Sequence, residues 1–185
     1  MTTLVTEGIL DERLWRALLR ATRQDGVRVL SAGGRSAAVS KANTILVLRD
    51  EPVALVLDAD TSDRRLLENE TATARFALQL GADDVPAEAF LIVPATEALY
   101  LSDDAFIAQM LGRPLTEVQR VRAEYEPQRV IRELLGADGV RRLVERLEAD
   151  AQAAERIARS DAAAPVLAFI ESSRAWERAT EAITG

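Results

Sequence analysis

The sequence contains no cysteine and no histidine, and Lys41 is the single lysine among its 23 basic residues. The lack of cysteine excludes disulfides and thiolate metal sites, and the lack of histidine excludes imidazole ligands and imidazole acid/base chemistry. Any catalysis by this chain must therefore use carboxylates, hydroxyls, arginine, Lys41 or a metal ion.

Long apolar segments are missing as well. No stretch approaches the roughly 18 apolar residues that are needed to span a bilayer, and the first residues lack the basic and apolar regions of a secretory signal. We therefore expect a cytoplasmic protein without a membrane partner. The net charge of −7 argues against a broad basic surface that coats nucleic acid. It does not exclude a nuclease, because a bound divalent ion inverts the local charge.

The 185 residues, 48% of them hydrophobic, suffice for one domain with a full core. Four apolar segments, separated by helical patterns, are predicted to be strands. The strands are expected at 3–6, 26–31, 52–58 and 89–96, and the helices at 10–24, 36–48, 63–80 and 102–111, the last capped by Ser102. The segment "PVALVLD" (52–58) is continuously apolar, as is typical of a strand with helices on both faces of a parallel sheet. We predict an α/β fold, with a mostly parallel, Rossmann-like sheet flanked by helices.

The strand signals stop at about residue 112, and the remaining segments have helical periodicity. We therefore predict that residues 1–105 form the α/β domain and that residues 106–185 form a helical extension packed on it. The sequence leaves the oligomeric state open.

Carboxylates follow three of the predicted strands. Asp58 and Asp60 end the third strand, Glu7 and Asp11 follow the first, and Glu97 follows the last. Ligands of open α/β sheets bind beyond the carboxyl ends of the strands, and neighbouring carboxylates repel each other unless a cation lies between them. This pattern predicts a site for a hard divalent cation such as Mg²⁺. The alternative is that Asp58 caps the next helix and that Asp60 and Asp63 form a solvated turn.

The pairs Glu7-Gly8 and Asp58-Ala59-Asp60 resemble the pattern of Toprim domains, the metal-binding α/β fold of topoisomerases, bacterial primases and OLD-family nucleases. The OLD-type subgroup is the more similar one. Its resemblance is carried by "TEGILDERLWRALL", "SAGGRS" and "VPATEALY", and it extends over about residues 1 to 105.

The resemblance implies that Glu7, Asp11, Asp58, Asp60 and Glu97 bind one or two Mg²⁺ or Mn²⁺ ions, with Glu7, Asp58 and Asp60 as the catalytic members. It also implies two-metal hydrolysis of DNA or RNA, in which one ion generates hydroxide and the other stabilises the leaving oxygen. A phage-defence or toxin-like role follows by analogy.

Gly34, Arg35 and Lys41 are the candidate substrate-binding residues, because a backbone N–H group and two cations could contact a phosphate. A plain turn at Gly34 and a solvated Lys41 are the alternatives. The chain contains no G-x-x-x-x-G-K-[ST] motif. If cleavage requires ATP hydrolysis, a separate ATPase or activator protein must supply it.

Two other functions stay open. The segment "LVLDADT" resembles the first motif of haloacid-dehalogenase-type phosphatases, which implies Asp58 as nucleophile, Asp60 as acid/base and a later hydroxyl such as Thr96. That family also needs a downstream lysine, whereas Lys41 lies upstream. The other alternative is a Toprim scaffold that binds nucleic acid or a partner protein without cutting.

Overall fold

The computed structural model describes residues 1–79 and 84–184. Within them, four strands form one parallel sheet in the order β2-β1-β3-β4. The strands are β1 (Thr3–Thr6), β2 (Arg28–Ser31), β3 (Val53–Asp58) and β4 (Ala87–Ile92). The predicted α/β fold with a parallel sheet is confirmed. The chain continues from β1 to β2 on one side and from β3 to β4 on the other. The crevice between β1 and β3 is therefore the switch point, where such sheets bind ligands.

Helices cover both faces of this sheet. The connecting helices are α1 (Ile9–Ala21), α2 (Arg35–Arg49) and α3 (Arg64–Gln79). Because successive strand residues point to opposite faces, Val5 and Leu55 join a buried cluster with α2 and α3. Leu4 and Val56 join a second cluster with α1. This double coverage explains why β3 is apolar at every position before Asp58.

Seven further helices follow β4 in the described part of the chain. They are α4 (Glu97–Leu101), α5 (Asp104–Leu111), α6 (Glu117–Ala123), α7 (Pro127–Leu135), α8 (Gly139–Ala149), α9 (Ala151–Ala158) and α10 (Ala164–Thr184). Helices α8 and α9 pack on α1. The buried cluster that contains Leu4 continues to Leu147 and Ile157, so sheet and extension share one core. The division at residue 105 stays a prediction.

The structure corrects two predicted element ends. The last strand ends at Ile92 rather than at residue 96, and α4, which was not predicted, begins at Glu97. The helix expected to be capped by Ser102 is instead capped by Asp103, whose side chain accepts hydrogen bonds from the backbone N–H groups of Ala105 and Phe106. Ser102 is already used as the C-cap of α4. The predicted helix end at Leu80 lies outside the described residues.

The described helices include none whose length and apolar character would let it cross a bilayer.

The start of α8 packs so closely on α7 that only glycine fits at position 139. A Cβ atom there would lie 2.8 Å from Ile131 Cγ2 and 3.0 Å from Leu135 Cβ. We expect Gly139→Ala to lower the free energy of unfolding by about 1–3 kcal/mol, because the two helices must move apart. Urea unfolding followed by circular dichroism measures the change.

The control is Asp138→Ala, which removes an exposed side chain that makes no capping hydrogen bond and should change stability by less than about 0.5 kcal/mol. Equal stability of both variants would contradict close helix packing.

Candidate metal centre

A hydrogen bond joins the ends of the two central strands. Glu7 follows β1, and its Oε1 accepts a hydrogen bond of 3.0 Å from the backbone N–H of Asp58 at the end of β3. The carboxylate of Glu7 is therefore held at the end of β3, at the switch point of the sheet.

Thr96 orients the carboxylate of Asp58. The backbone N–H and the hydroxyl of Thr96 both donate to Asp58 Oδ1, at 2.7 and 2.6 Å. Thr96 is only 3% exposed, so the contact is shielded from water. Asp58 thus does not act as the cap of the following helix, whose first N–H groups donate to Asp63 instead. The capping part of the alternative is wrong, whereas Asp60 and Asp63 are exposed, as that alternative expected.

Asp11 reaches the same site from the first turn of α1. Its Oδ2 accepts a hydrogen bond of 2.9 Å from the backbone N–H of Gly8. A Cβ atom at position 8 would lie 2.9 Å from that oxygen, closer than side chains tolerate. The glycine after Glu7 therefore lets Asp11 fold back over the end of β1.

The glycine turn before α2 is built around Glu7. The amides of Gly33 and Gly34 donate to the carbonyl oxygen of Glu7 at 2.8 and 3.0 Å, with φ angles of 86° and 131° that favour glycine. The Gly34 N–H group is therefore engaged within the protein. Its substrate-binding role stays a prediction and requires this bond to open.

Arg35 places a guanidinium among the carboxylates. Its Nη2 donates to the carbonyl oxygen of Asp58 and lies 3.4 Å from Asp60 Oδ2, while its Nε lies 3.7 Å from Glu7 Oε1. Its Nη1 pairs with Glu70 on α3. Burial lowers the pKa of Arg35, but the hydrogen bond and charge of Glu70 and the charges of Glu7 and Asp60 outweigh it and raise the pKa.

Lys41 lies outside this group of contacts. Its Nζ donates a hydrogen bond of 2.6 Å to the carbonyl oxygen of Ser31 at the end of β2. The partly buried ammonium is thus fixed to the sheet rather than fully solvated. Its predicted contact with substrate stays a prediction.

Asp60 and Glu97 complete the predicted carboxylates. The backbone of Asp60 is left-handed, with φ 54°, and its amide donates to the carbonyl oxygen of Pro94 at 2.7 Å. The Asp60 side chain is 75% exposed, so it lies at the outer rim. Glu97 begins α4, and its Oε2 accepts a hydrogen bond of 3.2 Å from Gln128 Nε2 on α7.

Burial and mutual repulsion raise the pKa of three of these groups. Burial is the largest cause for Glu7, Asp11 and Glu97, and the charge of Asp58 adds to it in each case. The pKa of Asp11 rises to about 7, with further contributions from Glu97 and Glu7. Each of the five predicted carboxylates therefore interacts electrostatically with at least two of the others.

The carboxylate oxygens are of the kind that bind Mg²⁺ or Mn²⁺, although the side chains do not converge on one ion position. Glu7, Asp11 and Asp58 each accept their hydrogen bonds on a single oxygen, which leaves the second oxygen for a ligand. Carboxylate oxygens are the ligands that both ions prefer. Among residues 1–79 and 84–184, however, no three acidic side chains are arranged so that they could hold a metal ion. Metal binding would therefore require side-chain rotation, and the ligand set stays a prediction.

Comparison with known proteins supports the fold. The structure is similar to the C-terminal region of the Burkholderia pseudomallei OLD protein, with a TM-score of 0.59 and 16% identity over 93% of this chain and 97% of that one. The chain has the fold of an OLD-type Toprim domain. The C-terminal region of the Xanthomonas campestris pv. campestris OLD protein also matches, with a TM-score of 0.47 and 18% identity over 96% of this chain and 97% of that one. No protein-family model and no curated protein matches the sequence.

Three side chains that were not predicted from the sequence also lie at the carboxylate site of this OLD-type Toprim fold. Glu70 holds Arg35, and Gln128 holds Glu97. Tyr100 is buried, its hydroxyl has no partner among the described residues, and burial together with the charges of Asp11 and Glu97 raises its pKa well above 10. All three lie on helices whose packing no local motif predicts. Thr96 was considered for the phosphatase alternative alone.

The raised pKa of Asp11 predicts a specific pH dependence for the metal-free protein. Since its pKa rises from 3.8 to about 7 on folding, the folded state gains stability from the bound proton below 3.8 and loses it as the pH rises to 7. Asp11→Asn cannot ionise and keeps an oxygen for the Gly8 N–H group. We expect this variant to be more stable than the wild type at pH 8, by a few kcal/mol at most, with the difference shrinking toward pH 4.

Urea unfolding in EDTA over this pH range tests the expectation. Asp25→Asn, which neutralises an exposed carboxylate in the turn before β2, is the control and should show no such trend. A difference between Asp11→Asn and wild type that does not vary with pH would contradict the raised pKa.

Proposed function

We propose that the protein is a divalent-metal-dependent nuclease that hydrolyses phosphodiester bonds in DNA or RNA. The observation that supports this best is the gathering of five carboxylates at the switch point of the sheet, where three of them have raised pKa values. The fold shared with the C-terminal region of an OLD protein agrees with it.

In this proposal the five carboxylates hold one or two Mg²⁺ or Mn²⁺ ions, with Glu7, Asp58 and Asp60 as the catalytic members. When bound, such ions supply activation of water and stabilisation of the leaving oxygen. This chemistry suits a chain that has neither histidine nor cysteine.

Side chains and backbone N–H groups of the protein orient the carboxylates and offset their negative charge. Thr96 fixes Asp58, and the Gly8 N–H group fixes Asp11. Arg35 neutralises part of the negative charge, and Glu70 holds it at the rim where a phosphate would enter. The guanidinium could bind two phosphate oxygens at once only by releasing some of its contacts with Asp58, Asp60 and Glu70. Lys41 could join it only by releasing the carbonyl of Ser31.

A cytoplasmic defence or toxin-like role, and a separate ATPase or activator partner, belong to the same proposal. They rest on the shared fold alone.

Cleavage assays test the nuclease activity directly. Supercoiled plasmid, single-stranded DNA and structured RNA are incubated with Mg²⁺, Mn²⁺ or EDTA. We expect metal-dependent cutting that Asp58→Asn lowers by at least about a hundredfold, because the substitution removes a charged ligand and keeps the shape of the side chain. Asp25→Asn is the matched control and should cut like the wild type. Undiminished cutting by Asp58→Asn would exclude the proposed site.

Measuring the Tm with and without metal distinguishes the proposed nuclease from a scaffold that has no metal site. A ligand that binds the folded state at about 100 times its Kd adds ~2.7 kcal/mol to its stability. We therefore expect Mg²⁺ or Mn²⁺ to raise the Tm of the wild type and of Asp25→Asn, and to leave the Tm of Asp58→Asn almost unchanged. Equal shifts in all three proteins would show that the metal binds elsewhere.

The contact between Thr96 and Asp58 gives the phosphatase alternative one specific observation, since that chemistry needs a hydroxyl near the nucleophile. Against it, the ammonium of Lys41 is fixed to Ser31 rather than to Asp58. The alternative also gives Glu7, Asp11 and Glu97 no role. Stabilisation by fluoroberyllate with Mg²⁺, lost in Asp58→Asn, would favour the phosphatase over the nuclease.

A further inference from the structure

A groove of about 600 Å³ opens beside Asp60, between the loop after β4 and helix α7. We call it the α7 groove. Asp60, Pro94 and Ala95 line one wall, and Tyr125, Arg129 and Arg132 line the other. Its volume is within the range of pockets that hold small ligands. Because Asp60 belongs to the carboxylate site, a molecule in the groove would lie directly beside that site.

Arg132 is the cation that the protein leaves available in this groove. The two acidic side chains of the α7 wall are already paired: Glu133 with Arg122 and Arg129, and Glu126 chiefly with Arg129. Within the described residues, the exposed side chain of Arg132 makes no ion pair or hydrogen bond. It also lines a small cavity with Glu97 and Gln128, so the groove and the surroundings of Glu97 adjoin at this side chain. Such an arginine is suited to bind an anion that the carboxylates themselves would repel.

Tyr125 gives the groove an aromatic surface. It lies between α6 and α7, and it is 62% exposed. The ring faces a groove rather than the core, so it is free to stack on a flat ligand. Exposed aromatic rings beside arginines are the usual means by which proteins hold unpaired bases, since every base has a stacking face.

We propose that the α7 groove binds an unpaired nucleotide of a DNA or RNA strand, with its base on Tyr125 and its phosphate on Arg132. The choice of a nucleic-acid strand as occupant rests on the proposed nuclease function. It is supported by the combination of a free guanidinium, an exposed ring and adjacent carboxylates that would act on the neighbouring phosphodiester. A base inside a duplex does not offer its face to a side chain, so the groove selects single-stranded or locally opened substrate.

The phosphate contact is tested by binding of fluorescently labelled oligothymidylate, measured by anisotropy in EDTA so that no cutting occurs. We expect Arg132→Ala to weaken binding about tenfold and to lower the slope of log Kd against log salt by about 0.7. Arg49→Ala is the matched control, because Arg49 is exposed and ends α2 shortly before β3 begins, at the amino end of the strands and away from the site. Equal effects of the two substitutions would overturn the assignment of Arg132.

The stacking contact is tested with Tyr125→Ala, which should weaken binding of the oligothymidylate by roughly five- to a hundredfold. It should have little effect on the binding of a duplex. Tyr125→Phe keeps the ring and should bind almost like the wild type. Phe76→Ala is the control, since Phe76 is also 62% exposed but lies near the end of α3. A loss in Tyr125→Phe as large as in Tyr125→Ala would contradict stacking.

Binding and cutting can fail separately. If the wild type cuts nucleic acid but the groove variants bind as it does, the nuclease function stands and the groove proposal falls. If the wild type binds the oligothymidylate through Arg132 and Tyr125 but never cuts, the groove stands and the nuclease proposal falls. If the wild type does not bind single strands at all, the groove has another occupant, such as a protein segment, and the proposal is overturned. Both side chains are exposed, so unchanged Tm values should confirm that the variants fold.

Discussion

Repulsion among carboxylates at one end of a parallel sheet is the constraint on which the site depends. Glu7 follows β1 and Asp58 ends the neighbouring β3, and the backbone N–H of Asp58 holds the carboxylate of Glu7 at the end of β3. Asp11 and Glu97 are added from the helices α1 and α4, where burial, together with the charge of Asp58, raises the pKa of both. The repulsion among the carboxylates is offset by Arg35, by the hydroxyl of Thr96 and by bound protons. Each of these reduces the negative charge or disperses it.

The end of the sheet at which the carboxylates lie could be predicted from the sequence, because the residues that follow parallel strands all lie at the carboxyl ends of those strands. Glu7, Asp58 and Glu97 were therefore expected at one end. The spacing of Gly8 and Asp11 predicted that the first turn of α1 contributes as well. How near these side chains lie to one another depends on the strand order, which makes β1 and β4 the two neighbours of β3 and which could not be predicted from the sequence. Their metal ligation stays a prediction.

The supporting contacts could not be predicted in the same way. Thr96 reaches Asp58 because β4 ends at Ile92 and the chain then turns beside β3, whereas the apolar pattern extended the strand to residue 96. The pairing of Arg35 with Glu70 depends on how α2 and α3 lie on the sheet. Contacts between separate helices leave no periodic signal in one sequence, so single-sequence reasoning misses them.

The helical extension belongs to the site and does not merely cover the sheet. Helix α7 supplies Gln128 to Glu97 and places Arg132 beside it. Because α8 and α9 share the core cluster of α1, the position of α7 is tied to the helix that carries Asp11. A displacement of the extension would change both the carboxylates and the groove beside them.

Under the proposed function, protons and a metal ion would compete for the same oxygens. A ligand carboxylate must lose its proton before it binds metal, and Asp11 holds its proton up to a pKa of about 7. Arg35 would compete as well, since it already contacts Asp60 and the carbonyl of Asp58. An ion bound by Asp11 and Asp60 would therefore have to replace a proton at the first residue and weaken an ion pair at the second. Arg35 would in turn reach a phosphate only by releasing such contacts, so the proposed function couples metal binding at Asp60 to the freedom of this guanidinium.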